Sequence, residues 1–305
     1  MRRGVALVCL SALAFGITYA DHAPLIPLIT PDLGLDELRA GLLSTALFLA
    51  YLTTTLFTIG AVDRVGPKRA VGAGLAAAAL GTALLAIAPV YAVALLGKAC
   101  QGFGSALAFI SATRYIAALY GSRRSHFALG LYGAGFLLGS AAALLVLPTL
   151  AATVGGWRQA LGLEAVFIAG CALLWTSAPR VTHVPALGSM RDALRCANCW
   201  GTFVQHAAGF GLAIASGTWI TVYLLREFAL SLTLSGVLGS LLLDVAVVAR
   251  SLGGFLVARE HVPTRRVMRI GDISIVVGVA LLALPGRPLA VALAGTVLVG
   301  LGAGL

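Results

Sequence analysis

Ionisable and polar side chains able to carry protons or hold ions stand isolated inside long apolar runs of this sequence. Asp21 and His22 interrupt the first run, flanked by Tyr19, Pro24 and Pro27. Lys98 and Gln101 lie in the fourth run, with Arg114 further along it. Gln205, His206, Trp219 and Tyr223 belong to the seventh, and Asp244 and Arg250 share the eighth. A charged group at mid-bilayer costs roughly 2.5–3.5 kcal/mol on insertion scales, so such residues face a partner or a wet cavity. Asp21 is suited to carry a proton, and His22 to tune it or to touch a solute. The two prolines free backbone carbonyls and predict a kink there. Competing readings place Asp21 and His22 at headgroup level, make Lys98 a snorkelling residue and make Trp219 and Tyr223 interfacial aromatics. Asp244 and Arg250, six residues apart, fall on different helix faces and need separate partners. Lys98 and Arg114 favour an anion while Asp21 and Asp244 favour a cation, so charge alone leaves the solute open.

These residues need spanning elements to position them. Of 305 residues, 60% are hydrophobic and 10% charged, against about 25% charged in ordinary soluble domains. Mean hydropathy is +0.99. A globular core of this length cannot hide so much apolar surface, so the solvent must be a lipid bilayer. Ten helical spans are expected, at 4–28, 40–61, 70–89, 91–120, 127–152, 159–178, 199–225, 232–257, 267–285 and 288–305. Barrel strands would alternate over about ten residues, and these runs are apolar on every side. The first run continues through APLIPLI, past the point where a cleaved leader would end, so it is expected to stay as a span.

The net charge of +10 is spread in small clusters rather than gathered on one face, which excludes nucleic acid as a partner. Fourteen Lys and Arg, among them Arg64, Lys68 and Arg69, fall in one set of connections; four (Arg39, Arg158, Arg226 and Arg287) fall in the other. That bias predicts a cytoplasmic N-terminus and a plasma-membrane location, the inner membrane in a bacterium.

A shift of 195 residues aligns the two halves from the first helix to the charged turn. Phe15-Gly16 falls on Phe210-Gly211, Leu35 on Leu230, Gly41 on Gly236, Leu43 on Leu238 and Arg64 on Arg259. Asp63 falls on Ala258, so one half has an acid that the other lacks. The organisation expected is a six-helix bundle over 1–178, a cytoplasmic linker over 179–198 and an incomplete four-helix bundle over 199–305. Parallel duplication of this kind recurs in carriers.

With the repeat in view, DRVGPKR (Asp63 to Arg69) resembles the helix 2–3 signature of the major facilitator superfamily of secondary transporters. KACQGFGSA (Lys98 to Ala106) resembles that family's fourth-helix motif, with Lys98 in the place of an arginine. SRRSHFALGLYGAGFLLGS and GGWRQAL are similar to its helix 4–5 turn, glycine-rich helix 5 and entry to helix 6. Two departures stand out: helix 5 lacks the Gly-Pro pair of the antiporter-associated motif, and ten spans are two short of the usual twelve. The resemblance implies an all-α integral membrane fold in two pseudo-symmetric bundles, expected here to be C-terminally truncated. It implies a carrier that moves a small solute by alternating access with proton coupling, as a monomer and without cofactor or metal. Lys98 and Gln101 take positions of substrate or proton handling. Asp63, Arg64, Gly66, Lys68 and Arg69 form a conformational gate, in which Asp63 latches onto the N-terminus of a later helix and favours the outward-open state. Gly66 and Pro67 suit the tight turn. Glycines 130, 133, 135 and 139 are expected to let helices approach closely.

Two other readings stand beside the carrier. An intramembrane enzyme would need a nucleophile–base pair or a cluster such as H-E-x-x-H, and none of the five histidines sits in one. A transport-incompetent fragment of a carrier remains the alternative. No G-x-x-x-x-G-K loop supports ATP-driven pumping. Cys196 and Cys199 form a C-x-x-C without further zinc ligands nearby, and are read as incidental.

Overall fold

The computed structural model describes residues 2–182, 194–258 and 262–305, with the side chains at 2–3, 59, 61, 121–127, 254 and 256–258 left out of the description. Arg259 and most of the 179–198 linker thus lie outside the described residues. Every regular element among the described residues is helical. The chain forms two compact units, Met1–Val184 and Pro185–Leu305.

The first crossing of unit one is made in pieces. Helix α1 (Arg2–Ala20) stops at Asp21 and His22; a 3-10 turn (Ala23–Leu25) and helix α2 (Ile26–Asp32) complete it. Pro24 and Pro27 are the second residues of the turn and of α2, within the first turn where a missing N–H does least harm. Helix α3 (Glu37–Val65) starts on Asp36, whose carboxylate accepts from the Arg39 N–H at 2.7 Å. A single residue, Gly66 at φ +81°, separates it from α4 (Pro67–Ala86), so the charged turn is as short as a helix reversal permits.

Helical backbone then runs from Tyr91 to Val154, called α5. It folds back on itself: the rings of Phe109 and Tyr132 stack 5.4 Å apart, where 23 residues of straight helix would span about 34 Å. Its two arms, Tyr91–Tyr120 and Ala128–Val154, are separate spans. Helix α6 (Trp157–Thr176) follows Gly155 and Gly156, both at positive φ.

Backbones meet closely where the first arm of α5 crosses α4. A Cβ on Gly81 would lie 2.6 Å from the Gln101 nitrogen and the Gly97 carbonyl, so only glycine fits. That crossing presses Gln101 against α4. On the second arm, Gly135 and Gly139 approach α1 as the sequence suggests, whereas Gly130 has no neighbour within 4 Å. Phe15, Tyr19, Phe109, Tyr132 and Phe136 form an aromatic cluster linking α1 to both arms.

Unit two contains α7 (Ala197–Phe228), α8 (Leu232–Ala258), α9 (Thr264–Ala283) and α10 (Leu289–Gly304). Its helices also meet through glycine: a Cβ on Gly278 would fall 2.7 Å from the Gly295 carbonyl. Eight helices among the described residues are long and apolar enough to cross a membrane. The last two expected spans form helices as well, but α9 carries Arg265, Arg266, Arg269 and Asp272, and α10 has only 16 residues.

Candidate ion and substrate pathway

In a continuous helix the His22 N–H would bond the Thr18 carbonyl. Here it turns to its neighbour's carboxylate, Asp21 Oδ1, at 2.6 Å. The Thr18 carbonyl is left over, and Lys98 Nζ donates to it at 3.0 Å. The same ammonium donates to Asp21 Oδ1 at 2.7 Å. Helix rupture thus creates both halves of a cation site, a carbonyl and a carboxylate, and Lys98 fills it.

Gln101 stands three residues beyond Lys98 on the same face of α5. Its Nε2 donates to Asp21 Oδ2 at 2.6 Å and to Thr82 Oγ1 at 2.8 Å, linking α1 to α4. His22 Nδ1 lies 3.3 Å from Asp21 Oδ1 and Nε2 lies 2.7 Å from Ser44 Oγ. The carboxylate fixes Nδ1 as the donor, so Nε2 accepts from the Ser44 hydroxyl. The side chains of Asp21, His22 and Lys98 are 0% exposed. All three therefore face protein partners, and the Lys98 ammonium points inward to Asp21 and Thr18 rather than out to water. A buried ion pair returns little net stability once its desolvation is counted, which makes a purely structural purpose a weak explanation for it.

The residues expected to form a gate divide. Asp63 Oδ1 accepts from Arg114 Nη1 at 2.5 Å, joining the end of α3 to the first arm of α5. Lys68 Nζ donates to the Thr176 carbonyl at 2.8 Å, while its own carbonyl accepts from Trp175 Nε1 at 2.8 Å. Lys68 thereby caps the C-terminus of α6, where a cation meets the negative helix end. Arg64 and Arg69 are exposed, and Gly66 makes the turn.

In unit two the predicted residues do not converge. Gln205 donates to Asp272 Oδ1 at 2.8 Å at an exposed position. Tyr223 lies near the opposite end of α7, under the guanidinium of Arg287, which also donates to its hydroxyl. Asp244 accepts from Ser240 on its own helix at 2.9 Å, and Trp219 is half-buried. Among the described residues no group of three His, Cys, Asp or Glu could hold a metal.

Sequence reasoning passed over two features. Asp32 takes hydrogen bonds from Trp157 Nε1 at 3.1 Å and from Arg158, whose other nitrogen reaches the Ala88 carbonyl at 3.0 Å. This clamp joins the ends of α2, α4 and α6. Glu164 is the second: an acid in the middle of the sixth apolar run, buried on α6. The reasoning that singled out Asp21, an acid where lipid should be, applies to Glu164 equally.

The chain matches the Major Facilitator Superfamily over residues 6–305, and it belongs to that family. It is 28% identical over 281 residues to the probable nitrate/nitrite antiporter NarK1 of Thermus thermophilus, covering 85% of this chain and 62% of that protein. The chain thus spans less than two thirds of that relative's length. In fold it is similar to a bacterial homologue of the human lysosomal transporter Spinster (TM-score 0.73, 19% identity, 98% of this chain and 71% of that one). It is also similar to a D-xylose-proton symporter (TM-score 0.70, 14% identity, 99% and 80%). Family and relatives are transporters rather than enzymes, and the chain is a multi-pass membrane protein.

Proposed function

We propose that this protein is a secondary-active carrier of the plasma membrane that moves a small solute by alternating access and is driven by protons. The observation that carries the proton coupling is the buried contact of Asp21 with Lys98 at the broken first crossing. Protonating Asp21 discharges the carboxylate, weakens its hold on Lys98 and frees an ammonium that can meet an anionic or hydroxylated solute. Binding of proton and solute is thereby linked through one cation, with Gln101 and His22 orienting the carboxylate. The Lys and Arg bias favours a cytoplasmic N-terminus. Asp63 with Arg114, together with the turn around Gly66, serves as the conformational gate.

The test is uptake into proteoliposomes under an imposed proton gradient. Nitrate, nitrite and D-xylose are the first probes, because relatives and fold neighbours carry those names. Gradient-driven accumulation is expected in the parent protein and only gradient-independent exchange in Asp21→Asn. Accumulation that responds to the gradient equally in both would remove Asp21 from the coupling.

A further inference from the structure

Glu164 has no role in the scheme above, and its surroundings give it one. Helix α6 buries Trp157, Ala160, Leu161, Glu164, Ala165 and Ile168, a single face at helical spacing, and Glu164 is in its middle. One turn before it, Ala160 and Leu161 pack in one buried cluster with Ala20, Leu85, Ala86 and Ala143. Ala20 directly precedes Asp21, so the next turn of α6 brings Glu164 towards the broken crossing. Helix α6 packs against α1, α4 and α5, the elements that bring Asp21, Thr82 and Lys98 together.

The hydrogen-bond inventory of this cluster is short of a donor. Both carboxyl oxygens of Glu164 and the Oε1 of Gln101 are buried without a hydrogen bond. Lys98 has three N–H groups, of which Asp21 and Thr18 take two. Two carboxylates against one ammonium would leave a net negative charge away from water, which is expensive. A proton is the smallest species that corrects both the missing donor and the extra charge. The titratable groups on elements packed against α6 near this level are Tyr19 at the end of α1, Asp21 and His22 after it, and Lys98 and Cys100 on α5. Those of α4 are Lys68 and Arg69, at its far start.

We infer that Glu164 is a second proton-holding group of the pathway, and that it shares one proton with Asp21 across Lys98. With the proton on Glu164, Asp21 is ionised and paired with Lys98. When the proton passes to the Asp21 carboxylate, Glu164 becomes the anion and takes the third N–H of Lys98. Net charge is zero in both forms and Lys98 stays an ammonium throughout; a second proton, taken up from solution, neutralises both acids and frees that ammonium for the solute. The inference deepens the proton-coupled reading and rests on it for its transport role.

The test reads protonation directly. Infrared spectra of the purified protein in lipid nanodiscs at neutral pH should show one protonated-carboxyl stretch. Labelling wild type with isotope at the glutamate carboxyls should shift that band, with no substitution and hence no doubt about folding. Glu164→Gln should remove it. Asp21→Asn should remove it too, because Glu164 then ionises against the freed Lys98, whereas Lys98→Met should add a second band as Asp21 loses its partner. A wild-type band that is absent, or that ignores the glutamate label, would overturn the inference. So would a band that persists in Asp21→Asn, since Glu164 would then be a neutral packing group. Loss of coupling is scored separately: unaltered gradient-driven uptake in Asp21→Asn sinks the transport scheme and leaves the spectroscopic result standing.

Discussion

The first helix of each unit begins from related sequence and ends as a different object. At the 195-residue shift Asp21 falls on Ser216, His22 on Gly217, Pro24 on Trp219 and Pro27 on Val222. The copy without prolines, α7, runs unbroken through this point from Ala197 to Phe228. The copy with them breaks into three pieces, and its freed carbonyl and adjoining carboxylate take a lysine from α5. A buried charge in this bundle interior is thus a property of the rupture more than of the residue. Where the helix is whole, its backbone is self-satisfied and offers a cation nothing. Where it is broken, a cation becomes part of the fold.

Removing that cation should give the largest effect. Lys98→Met leaves Asp21 buried without a counter-charge and removes the donor to the Thr18 carbonyl, and the expected loss is about 3–5 kcal/mol. Thermal unfolding in detergent measures it. Adding Asp21→Asn should return most of the loss, because the amide needs neither a counter-charge nor the proton that Asp21 must otherwise take up. Equal stabilities for the single and double variants would mean that the pair does not hold the break together.

The rupture can also be moved. Trp219→Pro places in α7 the residue found at Pro24, and it should cost about 3 kcal/mol beyond Trp219→Ala, since no lysine waits to take the freed carbonyl. Pro24→Ala should cost far less, because the polar network around Asp21 already satisfies the break. A similar penalty at both sites would show that proline alone, without its network, sets the energetics.

Close helix contacts exist in both units, and they separate packing from chemistry. Gly81→Ala and Gly278→Ala each force a methyl group into facing backbone, at about 1–3 kcal/mol apiece. Only the first displaces Gln101 from Asp21 and Thr82. Gly81→Ala should therefore lower gradient-driven uptake relative to an equally destabilised Gly278→Ala, measured in the same vesicles. Parallel losses would assign Gln101 to packing.

What was legible in sequence follows the same division. Composition and run length sufficed for a helical membrane fold, because a bilayer admits few alternatives to helices. The prolines announced the break, and the isolated charges announced themselves. Partnership was not legible: Asp21 and Lys98 are 77 residues apart, and their opposite charges read as conflicting hints about the solute until the packing of α5 against α1 brought them together. Arg114 read as an anion site for the same reason, although its partner Asp63 was already in view. Glu164 was not legible because the family resemblance in its segment ends at Leu161, and nothing adjacent in sequence marks an acid whose surroundings come from α1, α4 and α5. In unit two, Gln205 and Tyr223 share α7 with the polar residues expected to line a pathway, but their partners, Asp272 and Arg287, lie on and beyond α9.

The smallest effect on stability should come from the Asp63–Arg114 pair, and it discriminates best between two gate mechanisms. Both side chains are partly exposed, so Asp63→Asn is expected to cost only ~0–1 kcal/mol. A pair within one unit biases a conformational equilibrium only if it is made in one state and broken in another. If Asp63 leaves Arg114 to latch onto a helix N-terminus, the charge-swapped variant Asp63→Arg with Arg114→Asp restores the pair but not the latch. Its uptake should then stay low while its melting temperature recovers. If the pair persists through the cycle and only ties α3 to α5, the swap should restore both. Cysteine accessibility on either side of the membrane, compared between Asp63→Asn and the swap, identifies which state has lost population.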